Sequence, residues 1–174
     1  MEKMPPNRST LRKATIAMKW PDDHFESLWV RRMRGAEYEV RNIPYFAYNI
    51  SLGDVVECRP DGDGIGLFVK RVIRKSGNRT VRVSFKPFRR GMHPEARKLW
   101  RYLQLHRLGA DNGSIKLTLF AINAPSLAKY NQLVKRLKRI PKSAKMIWED
   151  GDPQPGVHFD GSDKAASGVW HASK

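Results

Sequence analysis

The chain has 174 residues, 40% of them apolar, with 33 Lys and Arg against 17 Asp and Glu for a formal net charge of +16. That length suits one domain with short appendages, and the clustered apolar positions exclude disorder of the whole chain. The charge is uneven: residues 65–148 hold 21 Lys and Arg against only Glu95 and Asp111, whereas residues 20–64 and 149–174 are slightly acidic. A field concentrated in this way predicts a polyanionic partner, either nucleic acid, an anionic membrane surface or an acidic protein. Cys58 is the only cysteine, which excludes an intrachain disulfide and fits a reducing compartment. Arg12 and Lys13 interrupt the apolar run from Leu11 to Met18, and no stretch approaches the roughly 20 apolar residues of a membrane span. The expectation is a cytoplasmic protein with no membrane role.

Residues 1–25 read as a basic appendage, either partly disordered or carrying one short helix over Ser9–Lys19. The body begins near residue 26. Leu28–Met33 and Ala36–Asn42 are short β-prone runs joined by Arg34-Gly35, a hairpin signal. Pro44 makes 42–46 an extended bend, because it lacks an amide donor and disfavours helix at Ile43. Gly53–Arg59 is a third strand. Asp61-Gly62-Asp63-Gly64 is a strong turn. Ile65–Arg74 and Arg79–Lys86 are the next two strands. In the latter, Val81, Val83 and Phe85 alternate with Arg82, Ser84 and Lys86, which predicts one buried face and one solvated basic face.

The period then changes. Glu95–Leu108 has helical spacing, with Pro94 suited to its start and Gly109 to its end. Ser114–Ile122 is an apolar strand. Ser126–Ile140 is a second amphipathic helix, with Ser126 as N-cap and Pro141 as its stop. Lys145–Trp148 is a last strand. The predicted fold is α+β: an antiparallel, strand-rich front half of about five strands continuing into a split β-α-β-α-β unit with two helices on one sheet face. One domain over 26–149 is followed by a polar tail, 150–174, in which Trp170 is the one residue able to anchor it.

Catalytic and metal motifs are missing from the sequence. The five histidines do not pair at ligand spacing, no Gly-x-Ser-x-Gly elbow or phosphate loop occurs, and Gly62–Gly66 reads as a hairpin turn with no helix after it. No cofactor is called for, and a non-enzymatic role is expected. Cys58, beside Val56 in an alternating strand, reads as an inert buried thiol. Asp54 is placed to lock the turn before its strand by accepting backbone amides. The candidate partner-binding residues are Arg82, Arg89, Arg90, Arg97, Arg101, Arg136 and Arg139, since the planar guanidinium suits both carboxylate and phosphate. Each alone reads as an ordinary solvated side chain, and Lys or Arg also suits a helix C-terminus; together they predict one patch.

Four blocks, Leu28-Trp29-Val30, Tyr38–Phe46, Ser51–Val56 and Ser76–Val83, resemble a bacterial domain-of-unknown-function family, number 4265. Its hallmarks are an Asn-Ile-Pro-aromatic-Phe bend, a Leu-Gly-Asp-Val-Val strand start and a Ser-Gly-x-x-Thr-Val-Arg turn. The resemblance spans about residues 27–148 and brings no reaction or cofactor. It implies, for some small members, an immunity role beside a secreted antibacterial toxin. The blocks also have a purely structural reading, as turns held by Pro, Gly and short polar side chains.

The first functional expectation is therefore a protein-binding module, an immunity protein that occludes a toxin's active site through its Arg/Lys-rich surface. Its partner would be acidic, or would meet the acidic 20–64 region. The second is binding of RNA or DNA through phosphate contacts, favoured if Phe88 and Trp100 are exposed beside the basic stripe.

Overall fold

The computed structural model describes residues 11–17, 25–62, 64–88, 91–112, 118–152 and 171–172. The front half is a closed barrel of β1 (Leu11–Ala17), β2 (Phe25–Arg32), β3 (Glu37–Val40), β4 (Val55–Pro60) and β5 (Leu67–Arg74). Neighbours pair antiparallel in chain order, and β1 meets β5 in parallel at Thr15 and Phe68 to close the ring. Register shifts between Val55/Val56 and Glu57/Cys58 bend β4 against β5, which supplies the curvature that closure needs. Alternate residues point inward, so Ala14, Ile16, Leu28, Val30, Val40, Val56, Cys58 and Val69 fill the interior.

Leu11–Ala17 corrects the expectation for residues 1–25. This segment is a barrel strand, not a helix or a disordered arm. Arg12 and Lys13 point to solvent while Ala14 and Ile16 are buried. Only two inward apolar side chains, Ala14 and Ile16, give a weak strand signature; pairing with β2 on one side and β5 on the other is what holds the segment extended.

The second half is β6 (Arg79–Phe85), α1 (Pro94–Leu105), β7 (Gly109–Asn112), β8 (Leu119–Ala124), α2 (Leu127–Leu137), β9 (Met146–Asp150) and β10 (His171–Ala172). The strand order is β10-β9-β6-β8-β7, and the four longer strands with both helices form the split β-α-β arrangement of ferredoxin-like units. Both helices lie on one face, over Val81, Val83, Phe85, Phe120, Ile122, Met146 and Trp148. Of the expected strand 114–122, residues 119–122 fall in β8 and residues 114–117 lie outside the described set, while β7, at 109–112, is a strand the sequence did not suggest. Gly109-Ala-Asp-Asn carries little strand propensity of its own; β7 is held by its ladder to β8.

Both helix starts follow the sequence. The His93 Nδ1 accepts the Glu95 amide ahead of Pro94, and the Ser126 hydroxyl accepts the Lys129 amide. The ends differ. Arg107, at φ +52°, takes the left-handed position expected near Gly109, and the Leu108 amide reaches back to the Leu103 carbonyl at 2.9 Å while both side chains enter the core. Leu108 is too apolar to stay outside, so α1 ends early. In α2 the last turn tightens, with Arg139 and Ile140 bonding three residues back.

Cys58 is buried in the barrel as expected, and burial pushes its thiol up to about 12. Because the thiolate is the nucleophile, an aromatic disulfide reagent at mildly alkaline pH should leave Cys58 unlabelled in the folded protein. Labelling should become fast and complete only in denaturant. A chain starting at Phe25 should lose the cooperative thermal transition, because β2 and β5 are left as open edges and Ala14 and Ile16 leave the core. A melt matching that of the full chain would show β1 to be dispensable.

Candidate partner-binding face

The barrel rests on the sheet face opposite the helices, and the bend and turns of the 42–54 region line that junction. Glu26 fixes the bend by accepting the amides of Tyr45 (2.6 Å), Phe46 (3.0 Å) and Ala47 (2.8 Å). Asp54 does what its position in the sequence suggests. It accepts the Ser51 amide at 2.9 Å and, across to the β5–β6 turn, the Ser76 amide at 2.7 Å. Gly53 at φ +84° allows this approach; a Cβ there would sit 3.1 Å from that of Ser76. Lys75 then bridges Asp54 at 2.8 Å, the Asn49 carbonyl at 2.9 Å and Asp152. Ser51 donates to Asp152 at 2.8 Å and lies 2.9 Å from the Thr80 hydroxyl. Burial holds the Asp152 carboxyl above its ordinary value, with Lys75 acting in the opposite direction. Asp152 thus belongs to the interior of the fold, not to a polar tail, and so does Glu149.

Arg82 is the clearest departure among the candidate binding residues. It is only 2% exposed. The strand face it occupies is covered by the barrel, so the alternation of β6 is real but its second face is not solvated. The Arg82 guanidinium donates to Glu149 at 2.9 Å and to the Ala47 carbonyl, and sits 4.5 Å from the Tyr48 ring centroid. The Tyr48 hydroxyl donates to the other Glu149 oxygen at 2.7 Å; burial and this bond push its pKa up to about 12. Arg82 faces Glu149 in the β6–β9 ladder. That charge pair could be found in the sequence only once β9 was known to lie beside β6. Glu26 carried no sequence signal, because its role depends on a bend some 20 residues away.

Four candidates, Arg97, Arg101, Arg136 and Arg139, lie on or just after the two helices. The Arg136 guanidinium is 5.8 Å from the Tyr102 ring centroid, Tyr102 reaches the Gln132 carbonyl at 3.4 Å, and Lys129 reaches the His106 carbonyl at 3.0 Å. These contacts climb one helix while descending the other. The N-terminal half of α1 therefore lies beside the C-terminal turn of α2. Arg97, Lys98 and Arg101 are exposed on α1, Lys135, Lys138 and Arg139 are exposed on α2, and Arg136 is half-buried. Glu95 is the one carboxylate on either helix, and Lys98 pairs with it at 2.6 Å. Arg89 and Arg90 lie outside the described residues.

Among the described residues, the carboxylates of the front half form no matching surface. Glu39 is paired with Arg31 and Arg41, and Glu57 with Arg71, Arg59 and Lys70. Glu26 and Asp54 are turned inward, so the carboxylate excess of 20–64 is largely absorbed within the barrel. Of the two aromatics expected to mark a nucleic-acid stripe, Phe88 is half-exposed, whereas Trp100 leans on Phe120 with centroids 6.0 Å apart. Among the described residues no His, Cys, Asp and Glu cluster could hold a metal ion, and no helix is long and apolar enough to cross a membrane.

Arg82→Met should destabilise the fold by about 3–5 kcal/mol, because it strands the buried Glu149 charge. Arg101→Met, on the exposed helical face, should change stability by less than about 0.5 kcal/mol. Urea unfolding of the two variants checks the contrast.

Comparison with other proteins returns the fold and a family, without an activity. No curated protein matches the chain. The crystal structure of a hypothetical protein from Neisseria gonorrhoeae is similar, with a TM-score of 0.65 and 22% identity over 81% of this chain and 94% of that one. A family model described as a domain of unknown function, DUF4265, matches residues 26–148, the stretch that runs from the Glu26 clamp to β9. The bend and turns that hold the barrel against the sheet fall within that match, and the chain belongs to the DUF4265 family.

Proposed function

We propose that the protein is a non-enzymatic binding module whose helical layer engages an acidic protein surface, in the manner of an immunity protein that occludes a toxin's active site. The observation that carries this reading is the near absence of carboxylate from two helices that each carry exposed Arg or Lys. The helices lie on a sheet held from behind by the barrel, so the face is presented without rearrangement, which limits the ordering entropy lost on binding. Cations of this density steer an acidic partner and raise its association rate. The aromatic rings on this face are half-buried: Tyr102 packs against His106 with centroids 4.2 Å apart, and Trp100 leans on the core. That favours a protein partner over single-stranded nucleic acid at this face.

Phosphate binding remains the second reading, because the same guanidinium groups accept phosphate. Capture from source-cell lysate, split into nuclease-treated and untreated halves, separates the two. The expected result is one acidic protein retained after nuclease treatment and lost with the triple variant Arg97→Glu, Arg101→Glu and Arg139→Glu, which should fold normally. The partner's association rate should fall at least about tenfold for that variant and decline with added salt. Co-expression then tests whether the partner is toxic alone. Recovery of nucleic acid only would replace the protein partner with a phosphate backbone.

A further inference from the structure

The outer surface of the barrel carries a second, chemically distinct face. The alternation of β2 that buries Leu28 and Val30 sends Phe25, Ser27 and Trp29 outward, and Phe25 is 57% and Trp29 44% exposed. Phe68 of β5 points the same way and meets Phe25 edge-on, with centroids 5.6 Å apart. β1 lies between these strands. Its outward residues set Thr15 beside both Ser27 and Phe68, and Ala17 beside Phe25. Small side chains, Ser27 and Thr15, therefore stand between Trp29 and the Phe25–Phe68 pair. Lys13 faces Trp29 across the ladder, with its ammonium 5.4 Å from the ring centroid.

Charge on the surrounding strands is positive. Arg59, Lys70 and Arg71 share the single carboxylate Glu57, at 3.4, 3.9 and 2.7 Å. Lys13 has no carboxylate within ion-pair distance among the described residues.

We propose that this outer face of β1, β2 and β5 binds single-stranded nucleic acid, with Trp29 and Phe68 stacking bases and Lys13 and Lys70 holding phosphates. Exposed rings spaced by small residues and flanked by lysines match what an unpaired strand offers: π-faces at intervals along a chain of phosphates. A duplex offers the phosphates but not the π-faces, since its bases are already stacked on each other. The site is independent of the helical layer and does not rest on the function proposed for it.

The test uses the full chain and fluorescence anisotropy with labelled oligothymidine and oligouridine, compared with a duplex of the same length. The single strands should bind more tightly than the duplex. Trp29→Ala should weaken single-strand binding about tenfold or more, while Trp29→Phe, which keeps a ring, retains most of it. Arg101→Glu with Arg139→Glu should leave the preference for single strands intact. Because Trp29 is outward, Trp29→Ala should melt as the parent does; if it does not, Phe68→Ala and Trp29→Phe carry the comparison. Equal affinity for duplex and single strand, no binding at low salt, or a folded Trp29→Ala with unchanged affinity would each overturn the proposal.

Discussion

Lys75 is buried with two carboxylates and a backbone carbonyl around it, and the rest of the architecture depends on that arrangement. Asp54 belongs to the barrel, Asp152 follows the last long strand of the sheet, and Lys75 sits in the link between the two halves. A buried ammonium is tolerated only where its donors are satisfied, so each half needs the other. Ser51 and Thr80 extend the same network across the junction. Arg82 and Glu149 repeat the logic one residue pair further along the sheet. Most apolar burial lies within each half; the polar contacts are what orient barrel against sheet.

This division of labour explains where the surface charge goes. Carboxylates in the front half are drawn into the junction or paired with barrel arginines. The basic residues of the back half split into two populations: Lys75 and Arg82 turn inward and complete the junction, while those on α1 and α2 stay outside. The solvent-facing field is more one-sided than the sequence total suggests, because the inward carboxylates Glu26, Asp54, Glu149 and Asp152 outnumber the inward cations Lys75 and Arg82.

Element types and helix starts were legible, because α1 and α2 carry apolar stripes with Pro94 and Ser126 at their beginnings. Asp54 was legible too, from its place after Gly53 and before an apolar strand. Three things were hidden. β1 has only Ala14 and Ile16 as inward residues between charges, so its conformation comes from its neighbours. Arg82 obeys strand alternation, but alternation says only which residues share a face, not whether a barrel covers it. Glu149 and Asp152 lie at the edge of a Gly- and Pro-rich stretch whose composition masks their burial. For the same reason the candidate patch was half legible: helical positions could be assigned to a surface, whereas the strand position could not.

The hydrogen bond from Ser51 to Asp152 spans 101 residues, and the contact of Lys75 with Asp152 spans 77. All five barrel strands precede β6, so during synthesis they leave the ribosome while Asp152 has yet to be made. Until then the Lys75 ammonium has one carboxylate fewer, and the face that will meet the sheet is open to water. The order of translation thus separates formation of the barrel from its attachment. A premature stop between β6 and Asp152 would release a chain with an exposed polar junction and incomplete sheet, a natural substrate for quality-control proteases.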